Sequence, residues 1–395
     1  MVHRTEFDSI KIAQARRKGG AKWSRYNEDV LPSFVADTDF NLPPAIHEAF
    51  TLQLERQDYG YSLQMSERDL PGIYVDWAKR RFGWQVNEAS IEALVDIVQG
   101  IFLCIQQYTQ PGDGIATLTP TYPPLWNAIG NTGRRLVAST LTTRDGNYEI
   151  DFDDLRHQID SSAKMFILCN PHNPTGRVFT RAELDEIAAI VVENDLLVLS
   201  DEIHADVVFS GHKHIPFASL SAEIAARTIT LTSATKSFNL GGLRFAIAIF
   251  GSQQLQDQFN LVHRGMIGGL NSMGMTATEI AWRECGDWLD DMVGYLEGNR
   301  DFVIRELSTR VPQIKCSTPE STFLAWLNCT GADLNEDPFN HFLNTAKVAF
   351  NPGTDFGPGG EGYVRLNFGT SRQILTEIID RTVDSISSSS ENLDS

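Results

Sequence analysis

Between about residues 90 and 250 the chain alternates short apolar runs with longer amphipathic ones. Seven runs have the length of strands: 92–98, 114–118, 135–139, 164–169, 196–200, 228–232 and 244–250. Two of them, KMFILC and LLVLS, are apolar on both faces, the pattern of strands covered by helices on each side. Between these two, TRAELDEIAAIVVEN sets Thr180 three residues before Glu183, the spacing of a capping box that starts a helix. Strands alternating with helices predict an α/β domain around a mainly parallel sheet. A long helical region follows at roughly 273–310, with Trp282, Trp288, Leu289 and Tyr295 among its apolar positions. The pattern then changes. Strand candidates TFLAWL and YVRLNF flank the Gly/Pro-rich NPGTDFGPGGEG, and a closing helix completes a smaller α+β domain. Residues 1–45 read as polar and irregular, and Pro43 and Pro44 forbid continuous helix there. The expected division is a large domain over 46–290 and a small one built from 1–45 and 291–395, with SISSSSENLDS fraying at the end.

Composition narrows the partners. With 395 residues, 42% hydrophobic and 21% charged, the chain can bury a sizeable core and a deep cleft. A net charge of −18 argues against nucleic acid or an anionic membrane, since both want a basic face. No apolar run reaches 18 residues and the first twenty lack a signal-peptide core, so a cytoplasmic protein is expected. Five scattered cysteines without a CxxC pair fit a reduced chain with no disulfide framework and no zinc site. His212 and His214 in GHKH have no third ligand nearby, so no metal is expected. GPGGEG lacks the strand–turn–helix context of a dinucleotide loop.

Three segments carry candidate chemistry, each at the end of an expected strand. In SATKSFNLGGLR, Lys236 follows the run TITLT in a small-residue turn, with Arg244 eight residues on. Ligands of open α/β sheets gather beyond the carboxyl ends of strands, and a lysine buried there gains nucleophilic character toward an aldehyde. Alone, it reads more readily as a loop lysine on the surface. In LLVLSDEIHAD, Asp201 and Glu202 close an apolar strand, so at least one carboxylate should face the crevice, where it could charge-pair with a protonated pyridine nitrogen. In CNPHNPTGRVF, two prolines, two asparagines and a glycine mark a tight turn that could present Asn173 or be a turn and nothing more.

Taken together, NPHNPTG, SDEIH and SATKSFNLGGLR resemble the asparagine, aspartate and lysine–arginine signatures of fold-type I pyridoxal-5′-phosphate (PLP) enzymes, over about residues 35–372. The resemblance implies Lys236 as the covalent anchor and proton carrier, Asp201 as partner of the ring nitrogen, and Asn173 as donor to the ring oxygen. It implies Tyr122 of PTYPPLW as the stacking residue, which with Lys236 and Asp201 makes the catalytic set. Phosphate contacts fall to the helix start at Gly100 and Ile101, to Ser233 and Arg244, and to Tyr61 of YGYS reaching across a homodimer with shared sites. Arg365 of YVRLNF would clamp a substrate α-carboxylate, with Ala36 and Asn173 as further substrate contacts.

Within that fold the chain is most similar to the MalY/PatB-type C–S β-lyases, through VADTDF, YGYS, DEIHADVVFSGHKHIPFASL and FGPGGEGYVRLNF. His204 stands where aminotransferases carry a cofactor-bonded tyrosine. Thr38 replaces the family's usual methionine, Gln99 stands where proline is common, and SATKSFNLGGL is nearer a general aminotransferase motif. The expected reaction is β-elimination from a sulfur amino acid such as cystathionine. An aminotransferase is the alternative, and a non-enzymatic regulator a more distant one.

Overall fold

Apolar runs too uniform to leave a face in water become the centre of the molecule. In the computed structural model, which describes residues 3–391 except 62, 145 and 335, they form a seven-stranded sheet. Its order is Ile91–Leu94, Ala246–Phe250, Thr228–Thr232, Leu197–Asp201, Ala163–Cys169, Gly114–Thr119, Arg135–Thr140. The last five in this order are parallel, and Ala246–Phe250 runs antiparallel to both its neighbours. Alternate side chains divide between two cores, as the two-residue period of a strand requires. Ala116, Phe166, Leu168 and Val198 pack with the helix Arg181–Glu193, while Ile115, Met165, Ile167 and Leu199 pack with the helix Ile97–Tyr108. The Thr180–Glu183 capping box forms as expected. Parallel pairing brings the carboxyl ends of four strands, at Thr119, Cys169, Asp201 and Thr232, to one rim.

Some boundaries differ from the sequence pattern. The 92–98 run splits, because the Asp96 side chain accepts from Gln99 N at 2.8 Å and starts a helix at Ile97. The 244–250 run begins at Ala246, since Arg244 takes a left-handed φ of 45° that no strand continues through. The 273–310 region is two helices, Ser272–Glu284 and Gly286–Arg310, parted at Cys285; Trp282, Trp288, Leu289 and Tyr295 are all buried. The expected domain boundary at 290 falls inside the second of these helices.

Residues 1–45 are not irregular throughout. Short helices at Arg4–Asp8, Ile12–Arg17 and Ala21–Ser24 form because tertiary contacts hold them, with Phe7 4.7 Å from Phe40 and 5.5 Å from Trp288 between ring centres. Pro44 opens the helix Pro44–Arg56 at its first turn, where a missing N–H costs nothing. A four-stranded antiparallel sheet, Lys315–Cys316, Leu324–Asn328, Tyr363–Asn367 and Asn351–Pro352 in that order, lies in the C-terminal region. In the intervening loop Gly353 and Gly360 approach so closely that a Cβ on either would lie about 2 Å from the other's carbonyl oxygen. The closing helix Arg372–Glu391 runs through most of the segment expected to fray, and 392–395 lie outside the described residues. No described helix is long and apolar enough to cross a membrane.

Candidate active site

Lys236 sits in the turn that follows Thr228–Thr232, and its Nζ donates to the carbonyl of Ala36 at 2.8 Å. Burial pushes its pKa down, Arg365 pushes the same way, and Asp37 and Asp201 pull it back up. A larger share of neutral amine at a given pH makes it a better nucleophile and base. The Ala36 segment is held from behind by a buried ion pair, Lys22 to Asp39 at 3.0 Å, and by Trp23 Nε1 donating to the same carboxylate at 2.7 Å. Sequence reasoning missed this brace, because it lies in the segment read as irregular.

The paired acids at the end of Leu197–Asp201 take opposite duties. Glu202 is wholly engaged within the protein, accepting from Ser200 Oγ at 2.8 Å and Phe217 N at 3.0 Å, with His214 Nε2 at 2.8 Å. The Asp201 carboxylate accepts one recorded hydrogen bond, from Ile203 N at 3.2 Å, and the residue is 2% exposed. Burial pushes its pKa up to about 7, with Glu202 adding and Lys236 opposing. Asp201 is therefore the carboxylate in search of a cation. His214 serves Glu202, whereas His212 lies 3.8 Å from Glu320, so the GHKH pair does not converge.

Arg365, on the strand Tyr363–Asn367, is 4% exposed. Nη1 donates to Asn173 Oδ1 at 3.0 Å, Nη2 to Phe34 O at 3.0 Å and to Asn351 Oδ1 at 2.7 Å, and the guanidinium lies 4.8 Å over the Phe356 ring. Its Nε is buried without a partner, and burial lowers the group to about 10. Because Asn173 accepts through oxygen, its amide NH₂ is left to donate elsewhere. Sequence reasoning missed Asn351, Phe356 and the Phe34 carbonyl; Asn351 and Phe356 lie in the Gly/Pro-rich loop, and a carbonyl leaves no trace in residue type.

Tyr122 caps the helix Pro123–Asn131; burial and the Asp201 charge raise its phenol to about 12, with Arg365 opposing. His204 is 2% exposed and burial, with Lys236 and Arg365, pushes it down to about 3, so the ring is neutral. Its Nδ1 has no partner among the described residues. Lys236, Asp201, Tyr122, Asn173, His204, Arg365 and Ala36 thus form one cluster, linked by the bonds and mutual charge effects above.

The remaining expected residues are placed differently. Ser233 Oγ is engaged with Phe245 O at 2.6 Å and Thr235 Oγ1 at 2.9 Å. Gly100 and Ile101 stand inside the helix rather than at its opening: Gly100 N donates to Asp96 O at 3.2 Å, and Ile101 is fully buried. The free amides of the first turn lie nearer Ile97 and Val98, because Asp96 is the cap. A Cβ on Gly100 would lie 2.7 Å from Leu94 Cδ1, so glycine serves close packing there. Arg244 meets this helix start through Asp96 Oδ2 at 2.9 Å. Tyr61 is fully exposed.

Residues 74–381 match the family model described as aminotransferase class I and II. The chain belongs to this family. It is 36% identical over 368 residues, 91% of this chain and 95% of the relative, to the cystathionine β-lyase PatB of Bacillus subtilis strain 168. Among solved structures it resembles the pyridoxal-phosphate-containing cystalysin of Treponema denticola, with TM-score 0.91, 29% identity and coverage of 97% of this chain and 99% of that one. It likewise resembles the PLP-bound C–S lyase of Staphylococcus hominis, with TM-score 0.89, 30% identity and coverage of 96% and 98%. The architecture is the type I fold of PLP-dependent enzymes, as the sequence resemblance implied.

Proposed function

We propose that this class I and II aminotransferase family member is a PLP-dependent C–S β-lyase that cleaves a sulfur amino acid such as cystathionine to pyruvate, ammonia and a thiol. The observation that carries it is the convergence of Lys236, Asp201 and the Asn173–Arg365 pair in one buried cluster. The donor set suits the cofactor: an amine of lowered pKa for an aldehyde, a buried carboxylate lacking a cation, and buried nitrogens of His204 and Arg365 lacking partners. When bound, PLP supplies a reactive aldehyde carbon and an electron-accepting ring.

The chain's own residues do the rest. Arg365 binds the substrate α-carboxylate and so fixes which bond at the α-carbon faces Lys236. Lys236 Nζ, once free of the cofactor, takes the α-proton. With the group bound, Asp201 would be ionised by pairing with its ring nitrogen and would favour the charge separation this requires, and Asn173 and neutral His204 would hold its ring oxygen. A sulfur substituent on the β-carbon then leaves as thiolate and takes up a proton, and water hydrolyses the remaining unsaturated amino acid to pyruvate and ammonia. With cystathionine and no added 2-oxo acid, pyruvate should accumulate over many turnovers. A halt after one equivalent per site, relieved by a 2-oxo acid, would instead mean amino transfer.

Arg365→Ala should weaken binding of the amino-acid substrate by roughly 10–100-fold, from about 1.5–3 kcal/mol for hydrogen bonds to a charged group. An amine lacking the carboxylate should be nearly indifferent, and equal losses for both would refute the role.

The cleft is proposed to lie between a large unit, 46–290, and a small one, 1–45 with 291–395, and to be completed in a homodimer. Seven of the eight exposed large hydrophobics among the described residues fall in two segments, 52–63 and 261–266. The second lies against the first turn of the helix Ile97–Tyr108, where Gln99 Nε2 donates to Met266 O at 2.9 Å and Ile267 O at 2.8 Å, and on this reading that turn faces the phosphate. A partner's Tyr61 would enter there. Mixing inactive Lys236→Ala and Tyr61→Ala chains should restore activity in hybrid dimers; a fully active monomer would exclude the arrangement. Five free cysteines suit a reduced cytoplasm, which recovery of the native protein in a membrane or secreted fraction would contradict.

A further inference from the structure

On the PLP reading the start of the helix Ile97–Tyr108 and the Arg244 guanidinium would be donors to the phosphate, and a carboxylate of the chain already spans them. Asp96 Oδ1 accepts from Gln99 N at 2.8 Å, and Oδ2 accepts from Arg244 Nη1 at 2.9 Å. The Asp96 side chain is 27% exposed, and its charge bears on the Tyr122 phenol, so it stands at the cleft. Arg244 is two-thirds exposed and has a left-handed backbone. Capping the helix does not require a charge, since asparagine and serine cap as well. The charge must be accounted for by what else it does.

We infer that Asp96 is a built-in competitor for the phosphate group of the cofactor. Without cofactor it latches Arg244 across the helix start. When the phosphate dianion arrives, Asp96 gives up Arg244 and remains beside it as a like charge. The chain therefore holds PLP less tightly than its donor set allows, and releases it more readily. This rests on the PLP reading above and concerns the affinity for that cofactor, not the reaction.

Asp96→Asn keeps the cap oxygen for Gln99 N and removes the charge. Titrating cofactor-free protein with PLP, read by the absorbance of the bound aldehyde, should give a dissociation constant about tenfold lower for the variant. Pyridoxal, with the same aldehyde and ring but no phosphate, should bind both proteins alike. Asp96→Ser, which also caps, should reproduce the PLP result should Asp96→Asn fold poorly. Unchanged PLP affinity in the folded variants, or an equal gain with pyridoxal, would overturn the inference. Failure of wild type and variants alike to take up PLP would overturn the cofactor reading and this inference with it.

Discussion

Lys236→Ala should lose turnover by on the order of 10⁴-fold or more, because the proposed mechanism makes one side chain both covalent anchor and proton carrier. The fold should survive. In the cofactor-free chain Lys236 makes a single recorded hydrogen bond, to Ala36 O, and its burial opposes the charge it would carry in water. A lysine whose folded pKa is depressed binds fewer protons folded than unfolded. It therefore costs stability below its folded pKa, and the cost fades as pH rises toward the ordinary value of about 10.4. At neutral pH the cofactor-free alanine variant should melt no lower than wild type. Activity within tenfold of wild type would remove Lys236 from the mechanism, and a collapsed melting curve would make the loss structural.

Asp201→Asn should lower activity by about a hundredfold or more, since an amide cannot hold a ring-nitrogen proton by charge. The same change should stabilise the cofactor-free chain. Burial raises the Asp201 carboxyl to about 7. Between the unfolded value of about 3.9 and that point, the folded chain keeps a proton the unfolded chain has released, so stability falls as pH rises through the window. The cost is complete above about pH 7 and on the order of a few kcal/mol. Asparagine can still accept from Ile203 N. Cofactor-free Asp201→Asn should therefore be the more stable protein at pH 8 and equal to wild type near pH 4, while wild type holds PLP better. A less stable variant at pH 8 would mean that the carboxylate already has a cation in the empty cleft.

This opposition of stability and function explains what could be read in advance. Parallel strands buried on both faces have to be uniformly apolar, which made runs such as KMFILC and LLVLS visible. The rim that carries Asn173, Asp201 and Lys236 followed, because each lies at or just past the end of such a run. What the pattern could not separate was contiguous apolar residues in different elements. Ile97 and Val98 extend the 92–98 run but belong to a helix, since the single polar residue Asp96 caps it. Gly100 and Ile101, expected at the helix start, therefore stand one turn inside it. The N-terminal helices of four to six residues are too short to show a period, and side chains such as Phe7 hold them through long-range contacts. Nor could SDEIH say which acid faces the cleft; that depends on His214, twelve residues beyond Glu202.

Reduction of the PLP-loaded protein with borohydride, followed by peptide mapping, tests the central claim most directly. The account predicts one reduced cofactor per chain, on the peptide containing Lys236, and none on Lys236→Ala. Label on another lysine of the wild-type chain, or no label on a protein that turns over substrate, would contradict it.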